Sequence, residues 1–258
     1  MGNILKCSST SCKQTLEQVM FSPPDTCSYS IHHERLYFVS GIAYMHYHPK
    51  KRKNQFLILH SHGNACEIGH MDRFLMKLFE DLGNVDIISY DYEGYGLTKG
   101  LNKTPTIDGC IRSIDSIYNH AISMGYRPEH IILYRVSIGT GPSVDLAARK
   151  PIHSMLLQSP YTSIIGVGSP CVETTLDCLY IPNAFPSLTQ IPNIRVPITI
   201  LHGTNDKVIP YEHAVKLQNA NPIYVILYPL ENATHNNIET DYYCELRMAL
   251  QTLTEIKT

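Results

Sequence analysis

The chain has 258 residues, hydrophobic side chains at 43% of positions and a formal net charge of −2. That length suits one large α/β domain with a substantial core and leaves little room for two. Lysine and arginine are scattered along a near-neutral chain, which excludes nucleic acid as a partner, since its phosphates would have to be neutralised.

The N-terminal "MGNILKCSSTSCKQ" lacks the apolar core of a signal peptide, and no run approaches the roughly 18 apolar residues of a membrane span. A cytoplasmic chain is expected. Its eight cysteines (7, 12, 27, 66, 110, 171, 178 and 244) have no C-x-x-C spacing, so they are read as thiols, most of them small buried apolar residues. Residues 1–20 form a tail and 21–258 the domain.

"RLYFVSGIAYMHYH" (Arg35 to His48) reads as two antiparallel strands around Gly41, and "KKRKN" (Lys50 to Asn54) as a polar tip before the buried strand "FLILHS". Phe74, Leu75, Leu78, Phe79 and Leu82 recur at helical spacing, with Gly83 as the stop. The strand "VDIISY" follows. Ile107, Ile111, Ile114, Tyr118 and Ile122 mark a second helix, entered through Thr106 and closed by Gly125. "IILYRV" is then a strand that delivers Ser137 to a turn, and a helix runs on to Lys150. Beyond it lie the strand "SMLLQS", an irregular stretch from Pro160 to Asn193, the strands "PITILH" and "IYVILY", and a C-terminal amphipathic helix. Short strands alternating with helices predict an α/β fold: a mostly parallel central sheet with helices on both faces and a short cap segment.

A serine hydroxyl becomes a nucleophile when a base removes its proton and a third group holds that base in place. Asp206 follows a buried strand in "ITILHGTNDKVIP", and His235 follows the last strand in "YPLENATHNN". Ser137, Asp206 and His235 stand in the Ser…Asp…His order of the α/β-hydrolase fold, each at the C-terminal end of a predicted strand, where open α/β sheets place ligand-facing residues. Backbone N–H donors for an oxyanion are expected from Asn64 or Ala65 in "HSHGNA" and from Ile138 after the serine.

"HSHGNA", "ISYDYEGYG", "IILYRVSIGTGPSVDLAAR", "LQSP", "NAFPS", "ILHGTNDKVI" and "ATHNNIE" together resemble the α/β-hydrolase domain-containing 17 family of depalmitoylases. The resemblance runs from about Phe21, where "FSPPDTCSYS" is also similar, to the C-terminus. It implies a serine hydrolase that cleaves the thioester between a fatty acyl chain and a protein cysteine, with S-acylated proteins as substrates and no cofactor. It assigns Ser137 as nucleophile, Asp206 as orienting acid and His235 as base. It also implies an N-terminal cysteine cluster for attachment to a membrane surface. Cys7 and Cys12 are the acylation candidates here, and Gly2 a myristoylation candidate, although Lys6 stands where that signal wants Ser or Thr.

Three residues depart from the pattern. Arg135 occupies the first glycine position of the G-x-S-x-G elbow, and Asn232 and Thr234 replace small residues ahead of the histidine. A guanidinium cannot occupy the space of a hydrogen, so the strand-to-helix contact should open, displacing Ser137, or the side chain should find a route outward or into the active-site mouth. Thr234, being β-branched, disfavours the positive φ that such a loop uses. These departures raise a second reading, a catalytically weak binding protein of the same fold. A third keeps the chemistry but turns it on small esters or peptides. Asp177 is the alternative carboxylate should Asp206 lack the acid role.

His60, His62 and His70 in "HSHGNACEIGH" invite a metal, but Asn64 and Ala65 stand where the H-x-H-x-D-H pattern needs Asp and His, so no metal is expected. "PKKRK" (Pro49 to Lys53) is read as a solvated hairpin tip in preference to a targeting signal or anionic-lipid patch. The sequon at Asn232 would not meet its enzyme in a cytosolic chain.

Overall fold

The computed structural model describes residues 17–49, 55–100, 104–164, 167 and 184–256. Gly2, Cys7, Cys12, the 50–54 tip, Asp177 and most of the cap segment lie outside the described residues.

Strands β1 (Leu36–Val39) and β2 (Ile42–Tyr47) form a hairpin whose two turn residues, Ser40 and Gly41, have φ of 50° and 80°. Two positive φ values give the turn a twist that matches its strands. The remaining strands are β3 (Phe56–Ser61), β4 (Val85–Tyr90), β5 (Ile131–Val136), β6 (Ser154–Gln158), β7 (Ile198–Gly203) and β8 (Val225–Leu230). They assemble in the order β1-β2-β4-β3-β5-β6-β7-β8, with β3 to β8 parallel and β1 and β2 antiparallel at one edge. All residues of β4, β5, β6 and β7 are buried, which is why these strands read as continuous apolar runs.

Helices cover both faces. On one, Leu57, Leu59, Ile88, Tyr90, Leu133 and Leu157 share a core with Ile114 and Ile117 of α2 (Ile107–Ser123), Val144 and Leu146 of α3 (Thr140–Arg149) and Leu217 of α5 (Glu212–Ala220). On the other, Ile58, Ile87, Ile132, Tyr134, Val136 and Leu156 pack with Leu75 and Leu78 of α1 (Ile68–Leu82) and Leu246, Leu250 and Leu253 of α7 (Tyr243–Glu255). Two single-turn helices, α4 (Ser187–Gln190) and α6 (Ile238–Asp241), are interspersed among these along the chain. The predicted caps hold: Thr106 Oγ1 accepts from Gly109 N–H at 2.9 Å, and Gly83 ends α1 at φ 67°.

One strand is shifted. β8 starts at Val225, two residues later than the sequence pattern suggests, because Asn221 Nδ2 donates to Ile191 O and Ile194 O at 2.9 Å and holds residues 221–224 in a turn.

The sheet order reverses between β3 and β5, with β4 on one side and β6 on the other. The loops leaving β3 and β5 therefore diverge at their C-terminal ends, opening a crevice at the position where α/β sheets bind ligands.

Candidate active site

Ser137 sits directly above that crevice. β5 ends at Val136, Ser137 takes φ 52°, and a single 3-10 turn (Ser137–Gly139) leads into α3. Positive φ is unfavourable for a residue with a Cβ, and such strain persists where the surroundings over-determine it. Thr140 Oγ1 donates to Ser137 O, and Ser143 Oγ to Gly139 O, both at 2.7 Å, pinning the turn from the helix side. Gly139 is the close-contact residue of the elbow. A Cβ there would lie 2.7 Å from Tyr92 Oη and 2.9 Å from Ser61 O.

Arg135 neither opens this turn nor leaves it. Its side chain is 0% exposed and follows the β5 alternation into the core that contains Leu133. Across the sheet Tyr90 pairs with Ser61, and Ser61 with Arg135, so a small residue lies between two long ones. Nη1 donates to Ser61 Oγ at 2.8 Å and to Tyr134 O at 3.3 Å, and Ser61 Oγ donates onward to Tyr90 Oη at 2.5 Å. The expected displacement of Ser137, and the alternative of a side chain in the cleft mouth, are both corrected by this arrangement. The room comes from Ser61 and the route lies inward.

The loop after β8 brings His235 to the serine. Asn232 adopts φ 63°, a conformation Asn tolerates, and its N–H donates to Thr204 Oγ1 at 2.9 Å. The positive φ thus falls on Asn232 and not on Thr234, whose N–H donates to Asn237 Oδ1 at 2.8 Å. Gly203 lets the two loops meet, since a Cβ there would lie 2.3 Å from Ala233 O.

The three separated residues converge. His235 Nε2 is 3.0 Å from Ser137 Oγ, and His235 Nδ1 is 2.7 Å from Asp206 Oδ2. Asp206 Oδ1 accepts from the N–H groups of Val208 and Ile209 at 2.8 and 2.9 Å. His202 lies behind it, its Nε2 2.8 Å from Ile209 O and 3.4 Å from Asp206 Oδ2. Burial alone would raise the Asp206 carboxyl, but hydrogen bonds from His202, His235 and the Ile209 N–H hold it well below the usual carboxylate range. A charged Asp206 fixes His235 with Nδ1 protonated and Nε2 facing the serine as an acceptor, the arrangement that prepares a hydroxyl for attack. Sequence reading missed His202, whose signal is a buried polar residue near the end of a strand that is buried throughout.

Asn64, Ala65 and Ile138 all line the cleft beside Ser137. The Asn64 side chain is occupied elsewhere: Oδ1 accepts from Ser22 N–H at 2.9 Å and Tyr95 Oη at 2.7 Å, and Nδ2 donates to Met20 O at 2.6 Å. With Ser28 N–H donating to Glu67 Oε1 at 3.0 Å, and Tyr29 Oη to Asp91, the segment from Met20 to Tyr29 straps down the loop after β3. His60 and His62 are buried beside Ser89 and Asp91, whereas His70 is exposed. Among the described residues no group of three His, Cys, Asp or Glu side chains is placed to hold a metal ion.

The cleft has a volume of about 850 Å³. Its walls are mostly apolar, with Met20, Met71, Phe74, Ile164, Val167 and Val208 among them, and Ser137 and His235 open onto it. Among the described residues no helix is long and apolar enough to cross a membrane.

No family model matches the chain. Over 191 residues it is 38% identical to alpha/beta hydrolase domain-containing protein 17B of Homo sapiens, covering 72% of this chain and 62% of that protein. It is likewise 38% identical over 187 residues to alpha/beta hydrolase domain-containing protein aho-3 of Caenorhabditis elegans, covering 72% of this chain and 54% of the relative. The chain thus matches less than two thirds of the length of these curated relatives. Among solved structures, MGS-M2, an alpha/beta hydrolase enzyme from a Medee basin deep-sea metagenome library, superposes with a TM-score of 0.64 at 13% identity, covering 86% of this chain and 98% of that one. A shared fold and two relatives at this identity place the chain in the α/β-hydrolase domain-containing 17 family.

Proposed function

We propose that the chain is a serine hydrolase acting on acyl thioesters, with S-acylated proteins as substrates. The observation that carries this reading is the Ser137–His235–Asp206 relay, with links of 3.0 and 2.7 Å, opening onto an apolar cleft. Ser137 Oγ attacks the acyl carbonyl carbon while His235 Nε2 takes its proton and Asp206 supports the imidazolium. The N–H groups of Ala65 or Asn64 and of Ile138 are assigned to the oxyanion. Collapse of the tetrahedral species breaks the carbon–sulfur bond, and His235 returns the proton to the departing cysteine sulfur. Water then repeats the sequence on the acyl-enzyme, releasing the fatty acid and Ser137. Base, acid and orienting group all come from the chain itself.

The cleft volume of about 850 Å³ falls within the range of about 300–1,000 Å³ common for small-molecule sites. Its apolar lining suits an acyl chain, each methylene of which contributes about 0.8 kcal/mol on burial. The reading as a catalytically weak binding protein rested on Arg135 displacing the serine, and Ser137 Oγ at 3.0 Å from His235 Nε2 does not favour it. Attachment to the cytoplasmic face of membranes through acylated Cys7 and Cys12 belongs to the same proposal and rests on the sequence resemblance alone.

The test is labelling of the intact protein by a fluorophosphonate probe, followed by turnover of an S-palmitoyl peptide. Labelling that vanishes in Ser137→Ala is expected. Equal labelling of that variant would end the serine mechanism.

A further inference from the structure

Among the described residues lining the cleft, Glu239 is the one carboxylate and there is no lysine or arginine. It lies four positions after His235, on α6, and does not belong to the Ser137–His235–Asp206 relay. A chain of hydrogen bonds running out from the core holds it. Tyr134 Oη donates to Gln158 Oε1 at 2.9 Å, and Gln158 Nε2 donates to Glu239 Oε1 at 2.8 Å, with Tyr134 and Gln158 both 0% exposed. The second oxygen, Oε2, accepts no hydrogen bond from the described residues. On the same wall, burial pushes the Cys66 thiol up to about 12, with Asp91, Glu239 and Glu67 adding to the rise. The Glu239 carboxylate thus stands on this wall of the cleft, while the rest of the lining is largely apolar. Glu239 is half-buried and the protein meets only one of its oxygens, which leaves the other open to a donor or cation entering the cleft.

We propose that Glu239 recognises a cation carried by the substrate, an ammonium or guanidinium group close to the scissile acyl bond. It thereby selects acyl-cysteines flanked by lysine or arginine over those with neutral or acidic neighbours. This deepens the hydrolase reading and rests on it. The geometry suits the role: Oε1 is anchored through two buried side chains, so the free oxygen is held in a fixed direction and a cation pairs with it without ordering a long flexible partner. An isolated accessible pair of this kind corresponds to a preference of about fivefold, weakened by salt.

The experiment separates this assignment from the hydrolase reading by measuring binding without turnover. In the full chain carrying Ser137→Ala, affinities are compared by fluorescence anisotropy for S-octanoyl peptides that differ only in having Lys, Gln or Glu beside the acyl-cysteine. The Lys peptide should bind about fivefold tighter than the Gln peptide, the difference shrinking at high salt. Adding Glu239→Gln should level the two, and Glu239→Lys should invert the preference toward the Glu peptide, an outcome that loss of folding would not produce. A thiocholine ester against its uncharged isostere tells whether a small amine is recognised as well as a peptide cation. Equal affinities for the three peptides, or no binding of any, overturns the assignment. Fluorophosphonate labelling of the wild type is scored apart: labelling without charge preference sinks only Glu239, and charge preference without labelling sinks only the hydrolase reading.

Discussion

Replacing Arg135 by methionine should stabilise the protein. The guanidinium is 0% exposed, and among the described residues its Nε and Nη2 have no partner. Burial pushes it down to about 10, with Tyr90 and Tyr92 opposing that fall. Relative to an ordinary guanidinium, the folded state disfavours the charged form by roughly 3 kcal/mol. Methionine keeps most of the length and removes the charge. It forfeits the Nη1 bonds to Ser61 Oγ and Tyr134 O, together about 2 kcal/mol, while Ser61 keeps its own bond to Tyr90 Oη. The balance is about 1 kcal/mol in favour of Arg135→Met, within the gain seen when buried ions are replaced by apolar groups. In a chain of this size that raises the melting temperature by about 2–4 °C.

The pH dependence follows from the same burial. Because the folded value lies below the unfolded one, the unfolded chain holds more protons between about pH 10 and 12.5, and wild-type stability gains on that account as pH rises there. The advantage of the Met variant is thus complete below pH 10 and shrinks above it. Urea unfolding at neutral pH and near pH 10.5 checks both statements. Arg135→Gly should gain less than Arg135→Met, since it opens a cavity costing about 24 cal/mol per Å³. A Met variant with a urea midpoint at or below that of wild type would refute the reasoning, showing that the guanidinium is better satisfied than its two paired contacts imply.

Two further outcomes are expected. Ser137→Gly should be more stable than Ser137→Ala by about 1 kcal/mol, because φ 52° strains any residue with a Cβ; equal unfolding midpoints for these two variants would show that the elbow relaxes. Asp206→Asn should lower thioester turnover by about 10⁴-fold by freeing His235 to take the other tautomer. Asp206 is depressed in the fold, so the stability it contributes is present above the usual carboxylate range and is lost as pH falls through the folded value. Acid titration of unfolding should therefore be steeper in wild type than in the Asn variant, and parallel curves would contradict the depressed carboxyl.

Much of the fold was legible because its signals are local. β3 to β7 are apolar runs buried on both faces, α2 carries its own cap at Thr106, and the Ser…Asp…His order follows from strand ends. What stayed hidden depends on partners distant in sequence. Glu239 is oriented by Gln158, 81 positions away, and Gln158 by Tyr134, 24 positions away, so no spacing rule marks it. His202 gains its place from Ile209 O, the far side of a loop whose shape the sequence does not state.

Arg135 shows the limit most clearly, because the sequence supplied the right constraint and attached it to the wrong residue. An elbow requires close approach of helix and strand, and small residues on both sides of the serine satisfy that requirement in the usual pattern. Here the approach is made by Gly139 alone, where an added Cβ would lie 2.9 Å from Ser61 O. Position 135 belongs to the strand, so its side chain leaves the turn along the sheet normal, into whatever space the neighbouring strand allows. That space is decided by Ser61, which faces Arg135 in the β3–β5 register 74 positions earlier in the chain. A bulky residue at 61 would have forced the displaced serine that the sequence suggested; a serine admits the guanidinium, donates to Tyr90 and leaves Ser137 where His235 meets it.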